Sequence, residues 1–525
     1  MQRLLAIDEA NSAHAPDGLT AATLIYIALP NLIFLAGWLR PAAAIPMLAL
    51  TLLSLIQFLR RQDMRWSVPQ SPGAGVLIVV IAFAWASLGG AGHFFAANSD
   101  WLVRDSVLGD LAFSDWPPAY SVIDGHPHIL RTAMGLFLPA AVVGKLAGIG
   151  SVDLALYVYA ALGCSLFLLL LPLPRKPSRL LIGLLLVTIF FSGMDYLGVV
   201  LVTGSPPIFP LRLEWWVPFC YPSITGQIYW APNHAIPLLL VATLFYRHWG
   251  HRAWPALFLI LLPLTVIWTP FAVMGILPFL AIATLRWFTQ GYRFSDSRIT
   301  FWQLVAAALM TWLTVRLMTL DITAIPGSAS AEVATHPDGT ALDYLLFILM
   351  EFAILALLLA RGLRHSHGLF WLACAILALL PLYHYGPTND TMLRLSIPGL
   401  VFLLLIMLDQ LQHWASRRAF PASAWAIGIV LLIGACTPFN EMWRAVFFKR
   451  IAPDYGRNVV EHDRYTEPPH YIGRLDRPDL IAVLRAPTLV PNAADRKGSD
   501  AKFQSGPVPA QAGAAAKGSG PLQEK

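Results

Sequence analysis

Apolar runs long enough to cross a bilayer dominate this chain and leave few folds open to it. About 20 residues of helix, at 1.5 Å rise each, span the hydrocarbon core. Long runs occur at 20–39, 42–59, 73–92, 152–172, 299–319, 342–360, 394–411 and 421–437. Shorter ones lie at 180–192, extending toward 203, and at 232–246, 253–268, 271–287 and 369–384. In lipid every backbone polar group must be satisfied within its own segment, so such runs become helices. The expected fold is an all-α polytopic membrane protein with about 13 transmembrane helices and external loops. Only 13% of residues are charged and 57% are hydrophobic, which places all 525 residues in one membrane domain with appendages rather than in several soluble domains.

The net charge of +6 would suggest nucleic acid in a soluble protein. Here the basic residues fall in short clusters between apolar runs: Arg60, Arg61 and Arg65; Arg175, Lys176 and Arg179; Arg247 and Arg252; Arg286 and Arg293; Arg361 and Arg364; Arg417 and Arg418. Such clusters set topology, and no nucleic-acid partner is expected. If all six face the cytoplasm, the chain crosses an even number of times between successive clusters. The run at 131–149, interrupted by Gly135, Pro139 and Gly144 and carrying Lys145, is then one too many and is read as a re-entrant or interfacial segment. This parity puts the N-terminus inside, as a retained signal-anchor, and the C-terminal region outside. It divides the chain into a membrane domain at 1–440, an external segment at 441–486 and a disordered tail at 487–525, biased to Pro, Ala, Gly and Lys. Cys164, Cys220, Cys374 and Cys436 are scattered, without the spacing of a metal knuckle or disulfide framework.

Polar residues concentrate in two external loops. The acidic loop, 93–130, begins HFFAANSDWLVRDSVLGDLAFSDWPPAYSVIDGHPH and carries Asp100, Asp105, Asp110, Asp115 and Asp124 with His93, His126 and His128. Asn98 or Ser99 can cap a helix that runs to about Ser114, and Pro117 and Pro118 stop it. The five-residue spacing of the aspartates cannot put them all on one helix face, so they form no ready metal cage. A carboxylate held against low-dielectric walls has a raised proton affinity, which suits a general base. The alternative is a solvated surface helix.

The second loop, 193–231, is aromatic: Tyr196, Trp215, Trp216, Phe219, Tyr221, Tyr229 and Trp230, with Asp195, Arg212 and Glu214, and His234 just beyond it. Aromatic faces pack on sugar rings, and they also form interfacial belts. Asp195, at the end of a short apolar run, is a functional candidate because acidic groups near the bilayer are costly. Farther on, Asp390 and Arg394 stand at i,i+4 in the first turns of a helix preceded by His384-Tyr385-Gly386-Pro387-Thr388-Asn389. They make either a local ion pair or a phosphate anchor. Glu351 and Arg316 lie within spans and suggest either an ion pair or a transport path.

Taken together, the acidic loop after an early span, the second external carboxylate, the wide aromatic loop and the outside C-terminal region resemble the GT-C superfamily of membrane glycosyltransferases over 73–411. That superfamily includes protein mannosyltransferases, aminoarabinose transferases and arabinofuranosyltransferases. The resemblance implies a GT-C-like fold in the bacterial inner membrane and inverting transfer of a sugar from a polyprenyl-phosphate-type donor to an acceptor on the external face, with an aspartate as general base. It implies Asp105, or Asp100 or Asp110, as the first-loop carboxylate and Asp195 as the second. His234 and Arg394 would meet the sugar phosphate, with Asp390 and Glu214 also on the substrate side. The family often shows adjacent acidic pairs in the first loop. Here Arg104-Asp105 and Gly109-Asp110 are separated, which leaves open which aspartate is the base. No cofactor is required and no metal ligand set is expected, though so many carboxylates could accept a divalent cation, Mg or Mn. The expected partners are the lipid-linked donor, membrane lipid and an acceptor. The alternative function is a transporter or flippase for a lipid-linked glycan, with Glu351, Asp195 and Arg316 lining its path.

Overall fold

The computed structural model describes residues 15–66, 68–123, 125–210, 212–322, 339–384, 389–462, 471–493 and 496. Parts of the expected external pieces 320–341 and 385–393 and most of the 487–525 tail lie outside these described residues, as do Asp124 and the first 14 residues of the expected signal-anchor.

Helices make up most of it: α1 (Gly18–Trp38), α2 (Pro41–Arg61), α3 (Pro72–Ser87), α4 (Trp101–Phe113), α5 (Phe137–Ala147), α6 (Val152–Leu170), α7 (Arg179–Ile189), α8 (Asp195–Thr203), α9 (Ile224–Trp230), α10 (Pro232–His248), α11 (Trp254–Thr265), α12 (Pro270–Thr289), α13 (Phe301–Met318), α14 (Ala341–Ile348), α15 (Ile354–Ala360), α16 (His367–Leu379), α17 (Asp390–Arg417), α18 (Ala422–Gly434) and α19 (Cys436–Phe447). Among the described residues eight helical segments are long and apolar enough to cross a membrane: Gly18–Trp38, Pro41–Arg61, Ile149–Leu170, Pro270–Thr289, Phe301–Met318, Ala341–Ala360, Asp390–Arg417 and Ala422–Phe447. Pro at the first position of α2, α3, α10 and α12 costs no hydrogen bond there, and Asp17 and Thr20 form a capping box on α1.

Small residues let the helices approach. Gly163 of α6 faces Tyr26 and Ile236, and Gly399 of α17 packs on Leu377 of α16. The 28-residue α17 is the most enclosed of the eight and packs on α10, α12 and α16.

The basic clusters that the sequence separates gather at one end of the bundle. Arg247 pairs with Asp17 at 2.6 Å, Arg252 and Arg298 both pair with Asp63, and the carbonyls of Arg65 and Arg175 accept from Gly18 and Ser71. The opposite end carries the acidic loop. The 11 residues of α5 extend about 16 Å, too short for a crossing, and its Lys145 bonds to the Ser114 carbonyl beside α4.

Not everything is helical. A four-stranded sheet, ordered β3-β2-β1-β4, knits the acidic loop to the C-terminal segment. Strands β1 (Pro118–Ile123) and β2 (His126–Leu130) form a hairpin, β3 (Ile472–Arg474) pairs antiparallel to β2, and β4 (Thr488–Leu489) lies parallel to β1. The all-α reading holds for a chain that is mostly helical; these strands escape it, because they are too short and their partners too remote in sequence to leave a local signal. Within the stretch read as a tail, Thr488 and Leu489 form β4 and Arg496 is buried.

Two further differences bear on the site. The helix expected to end near 437 continues through the polar residues Asn440, Glu441 and Arg444 to Phe447, because one face, with Asn440 and Glu441, is covered while the other exposes Phe439, Trp443 and Val446. Arg316 does not pair with Glu351. It makes a two-pronged pair with Asp479, at 2.8 and 2.9 Å, that ties α13 to helix α20 (Pro478–Val483).

Candidate functional site

The residues singled out in the sequence separate into three groups at different depths. The first is built on α4. His93 lies in the turn after α3 and its ring bridges two carboxylates, with Nε2 3.2 Å from Asp105 Oδ2 and Nδ1 3.2 Å from Asp153 Oδ1. Tyr455 donates its hydroxyl to Asp153 from the C-terminal segment. Burial acts to strip the proton from His93, but hydrogen bonds and charge from Asp105 and Asp153 outweigh it and hold the imidazole pKa up at about 9. Burial also raises the Asp105 carboxyl, against the opposing pull of His93.

One turn farther, Asp110 accepts from Tyr120 at 2.7 Å and from the Val459 N–H at 2.9 Å, and it pairs with Arg496. Burial pushes its carboxyl up to about 6 despite Arg496. Asp105 and Asp110 thus fasten the C-terminal segment onto α4. Asp100 differs: its side chain is 46% exposed against 2% for Asp105, and it holds Arg104 at 3.1 Å. The expected N-cap hydrogen bond is also relocated, since Asn98 accepts from the Asp100 N–H instead of from within the helix.

The second group forms a cationic mouth at the end of the bundle that carries the acidic loop. The starts of α4, α10 and α17 meet there. Asn98 and Trp101 donate to the Tyr229 carbonyl at the end of α9, and Gln227 of α9 donates to the Leu393 carbonyl of α17. Arg394 donates to Gln227 Oε1 at 3.2 Å, while its contact with Asp390 is a loose 4.0 Å. Arg104 and Arg394 are both close enough to act electrostatically on His234, whose Nδ1 lies 2.8 Å from Thr269 Oγ1. Arg104 Nη1 and Arg394 Nε are buried N–H groups with no hydrogen-bond partner among the described residues. Two guanidinium groups, a histidine and three helix N-termini in one place form an arrangement that attracts an anion.

The third group lies deeper and is acidic. Asp195, at the start of α8, accepts from Ser192 at 3.1 Å and from Thr437 of α19 at 2.8 Å, and it faces Glu351. Glu214 accepts from the Ser223 N–H and hydroxyl, each at 3.1 Å, and fits against Gly226. Burial, with Glu441 and Asp195 nearby, raises the Glu214 carboxyl. Trp230 donates to Glu441 at 2.8 Å and is stacked by Arg212 at 4.2 Å and Arg444 at 5.6 Å.

The aromatic loop accordingly faces inward more than toward a sugar or a lipid headgroup. Tyr221 and Tyr229 are buried and donate to the Leu377 and Trp85 carbonyls, and Trp216 covers Gly198. Among the described residues Asp105, Asp195 and Arg394 therefore have three separate sets of hydrogen-bond and ion-pair partners.

Among the described residues no group of three or more His, Cys, Asp or Glu side chains is placed to hold a metal ion. Sequence reasoning missed Asp153, Gln227, Thr437, Glu441 and Tyr455. Each acts through a partner more than 100 positions away in the chain, or, for Asp153, 60 and 302 positions away. Only Glu441, polar in a helix that prolongs an apolar run, left a local sign. Comparisons of the chain with family models, with curated proteins and with solved structures return no match.

Proposed function

We propose that this chain is a membrane glycosyltransferase that takes a sugar from a polyprenyl-phosphate-type donor at the external face of a bacterial inner membrane. The cationic mouth carries the reading: Arg104 and Arg394 each keep a buried N–H without a partner among the described residues, beside His234 and the starts of three helices. A phosphate at the membrane surface satisfies those donors, and the same charges stabilise it as a leaving group. The proton acceptor is Asp100, the exposed carboxylate of the first loop beside Arg104, since Asp105 and Asp110 are already engaged by His93 and Arg496. Inverting displacement then requires the acceptor hydroxyl to lose its proton to Asp100 as the sugar–phosphate bond breaks.

In this reading the basic end of the bundle is cytoplasmic. Thirteen crossings follow when α7 with α8, α14 with α15, and α18 with α19 are each counted once, and α4, α5 and α9 are left at the external surface. Purified protein in nanodiscs, given a radiolabelled polyprenyl-phosphate sugar, is expected to bind it in competition with polyprenyl phosphate and to transfer the sugar to an envelope acceptor. Failure to bind any polyprenyl-phosphate sugar would sink the proposal.

One observation favours the second reading, a flippase or transporter. The chain breaks between α7 and α8 beside buried carboxylates, as discontinuous helices do at transport sites. Movement of a fluorescent lipid-linked glycan across proteoliposomes without sugar transfer would select it.

A further inference from the structure

Near the middle of the 341–360 helix the turn widens into a π-helical segment, Leu349–Ala353, that contains Glu351. Glu351 stands ten positions from Ala341 and nine from Ala360, about 15 Å of helix on either side, which is half the thickness of the hydrocarbon core. The break between α7 and α8 passes the same point. A Cβ at Gly193 would collide with the Glu351 carboxyl, and one at Gly434 would lie 2.7 Å from the Ser192 carbonyl oxygen and 3.0 Å from that of Gly193. The two glycines allow α8, α14–α15 and α18–α19 to meet around one polar spot.

Asp195 is 0% exposed and Glu351 4%. Asp195 Oδ2 has two hydroxyl donors, Ser192 and Thr437, whereas among the described residues no donor comes within full hydrogen-bonding geometry of Asp195 Oδ1 or either Glu351 oxygen. Trp216 turns its indole toward both carboxyls. The other ionisable groups facing them are Glu214 and Cys220 of the aromatic loop, Tyr221 and Arg212. Arg212 is held over the Trp230 ring, where its charge also serves Glu214. Two ionised carboxylates in contact here would each lose their hydration and repel each other. A single proton between them replaces repulsion by a charge-assisted hydrogen bond and leaves one negative charge for Ser192, Thr437 and Trp216 to solvate. A metal ion in the same place would face the Trp216 indole N–H, a donor of the wrong polarity.

We propose that Asp195 and Glu351 form a proton-binding site, a carboxylic acid and a carboxylate sharing one proton where the α7–α8 break meets the π-helical turn. This goes beyond the transferase reading and does not rest on it. The test is infrared spectroscopy of the full chain in nanodiscs, read in the carbonyl-stretch region of protonated carboxyls, at neutral pH in a choline buffer free of alkali ions. A buried carboxylic-acid band is expected that survives in Glu214→Gln and is lost in both Asp195→Asn and Glu351→Gln, because either amide donates to the remaining carboxylate and leaves no proton to share. A band retained in either amide variant overturns the proposal, as does its loss from the wild-type chain on adding sodium. Absence of any such band from the wild-type chain also overturns it, so the test holds if a variant fails to accumulate.

Discussion

His93 and Asp105 are joined by a contact of 3.2 Å between imidazole Nε2 and carboxylate Oδ2, and this pair anchors the turn after α3 to α4. Because the folded His93 pKa is raised from 6.5 to about 9, its contribution to stability is fully present below pH 6.5 and is lost as pH rises through about 9. The shift corresponds to at most about 3 kcal/mol at 1.36 kcal/mol per unit. Thermal unfolding followed from pH 6 to pH 10 should show that loss in the wild-type chain. His93→Gln should be less stable at pH 6 and show a flatter profile; identical profiles would remove the imidazolium from the account.

Asp110 and Arg496 form a buried pair, and removing one member leaves the other charge uncompensated, at a cost of about 3–5 kcal/mol. Arg496→Met and Asp110→Asn should each expose the C-terminal segment to limited proteolysis. The double variant should recover part of the protection. Equal cleavage in all three would show that β-sheet pairing alone holds the segment.

At the mouth, Arg394→Gln should reduce sugar transfer on the order of a hundredfold, as loss of one electrostatic stabiliser does, while Arg394→Lys keeps part of it. Gln227→Ala should weaken donor binding by a smaller factor, since it removes the acceptor that positions the guanidinium and the hydrogen bond from α9 to the Leu393 carbonyl but leaves the charge in place. Steady-state transfer with varied donor distinguishes the two. If the Asp390→Asn, Arg394→Gln double variant kept full activity, Arg394 would be confined to its loose pairing with Asp390.

Asp100→Asn should abolish transfer with protein abundance intact, because the amide keeps the shape and cannot take the proton. Asp105→Asn should act mainly on thermal stability, through His93. The reverse pattern would move the base to Asp105.

Arg316 and Asp479 place the end of α13 beside the C-terminal segment. The pair is solvent-exposed, so Arg316→Ala should cost little stability. Cysteines at the two positions, in a chain with its native cysteines replaced, should cross-link in intact membranes. A membrane-impermeant reagent added outside cells should label both; labelling only after lysis would invert the proposed orientation.

The lengths of the apolar runs made the spans legible, and the Arg clusters marked one end of the bundle because each cluster is local. The helix around Asp105 and Asp110 was also legible, from its flanking turn residues and the Pro117-Pro118 stop. Partnership was not. Asp105 and Asp110 looked like interchangeable loop carboxylates and Asp195 like a second one in or at the edge of the bilayer, and what separates them is contact with His93, Arg496 and Glu351, which the fold brings from other segments. Gly193 and Gly434 carried no message in sequence, since a glycine in an apolar run shows its purpose only when the neighbour that needs its space is present.

Strands β1 and β4 lie side by side although some 370 residues separate Pro118 from Thr488, and this imposes an order of assembly on the nascent chain. The edge of the hairpin emerges early, while the strand that covers it follows all of the helices α1–α19. Until then the acidic loop presents unpaired backbone to whatever else occupies the membrane surface. That end of the bundle is therefore completed only after α19 has been made, and a ribosome that stalls there leaves a bundle whose helices are present but whose roof is open.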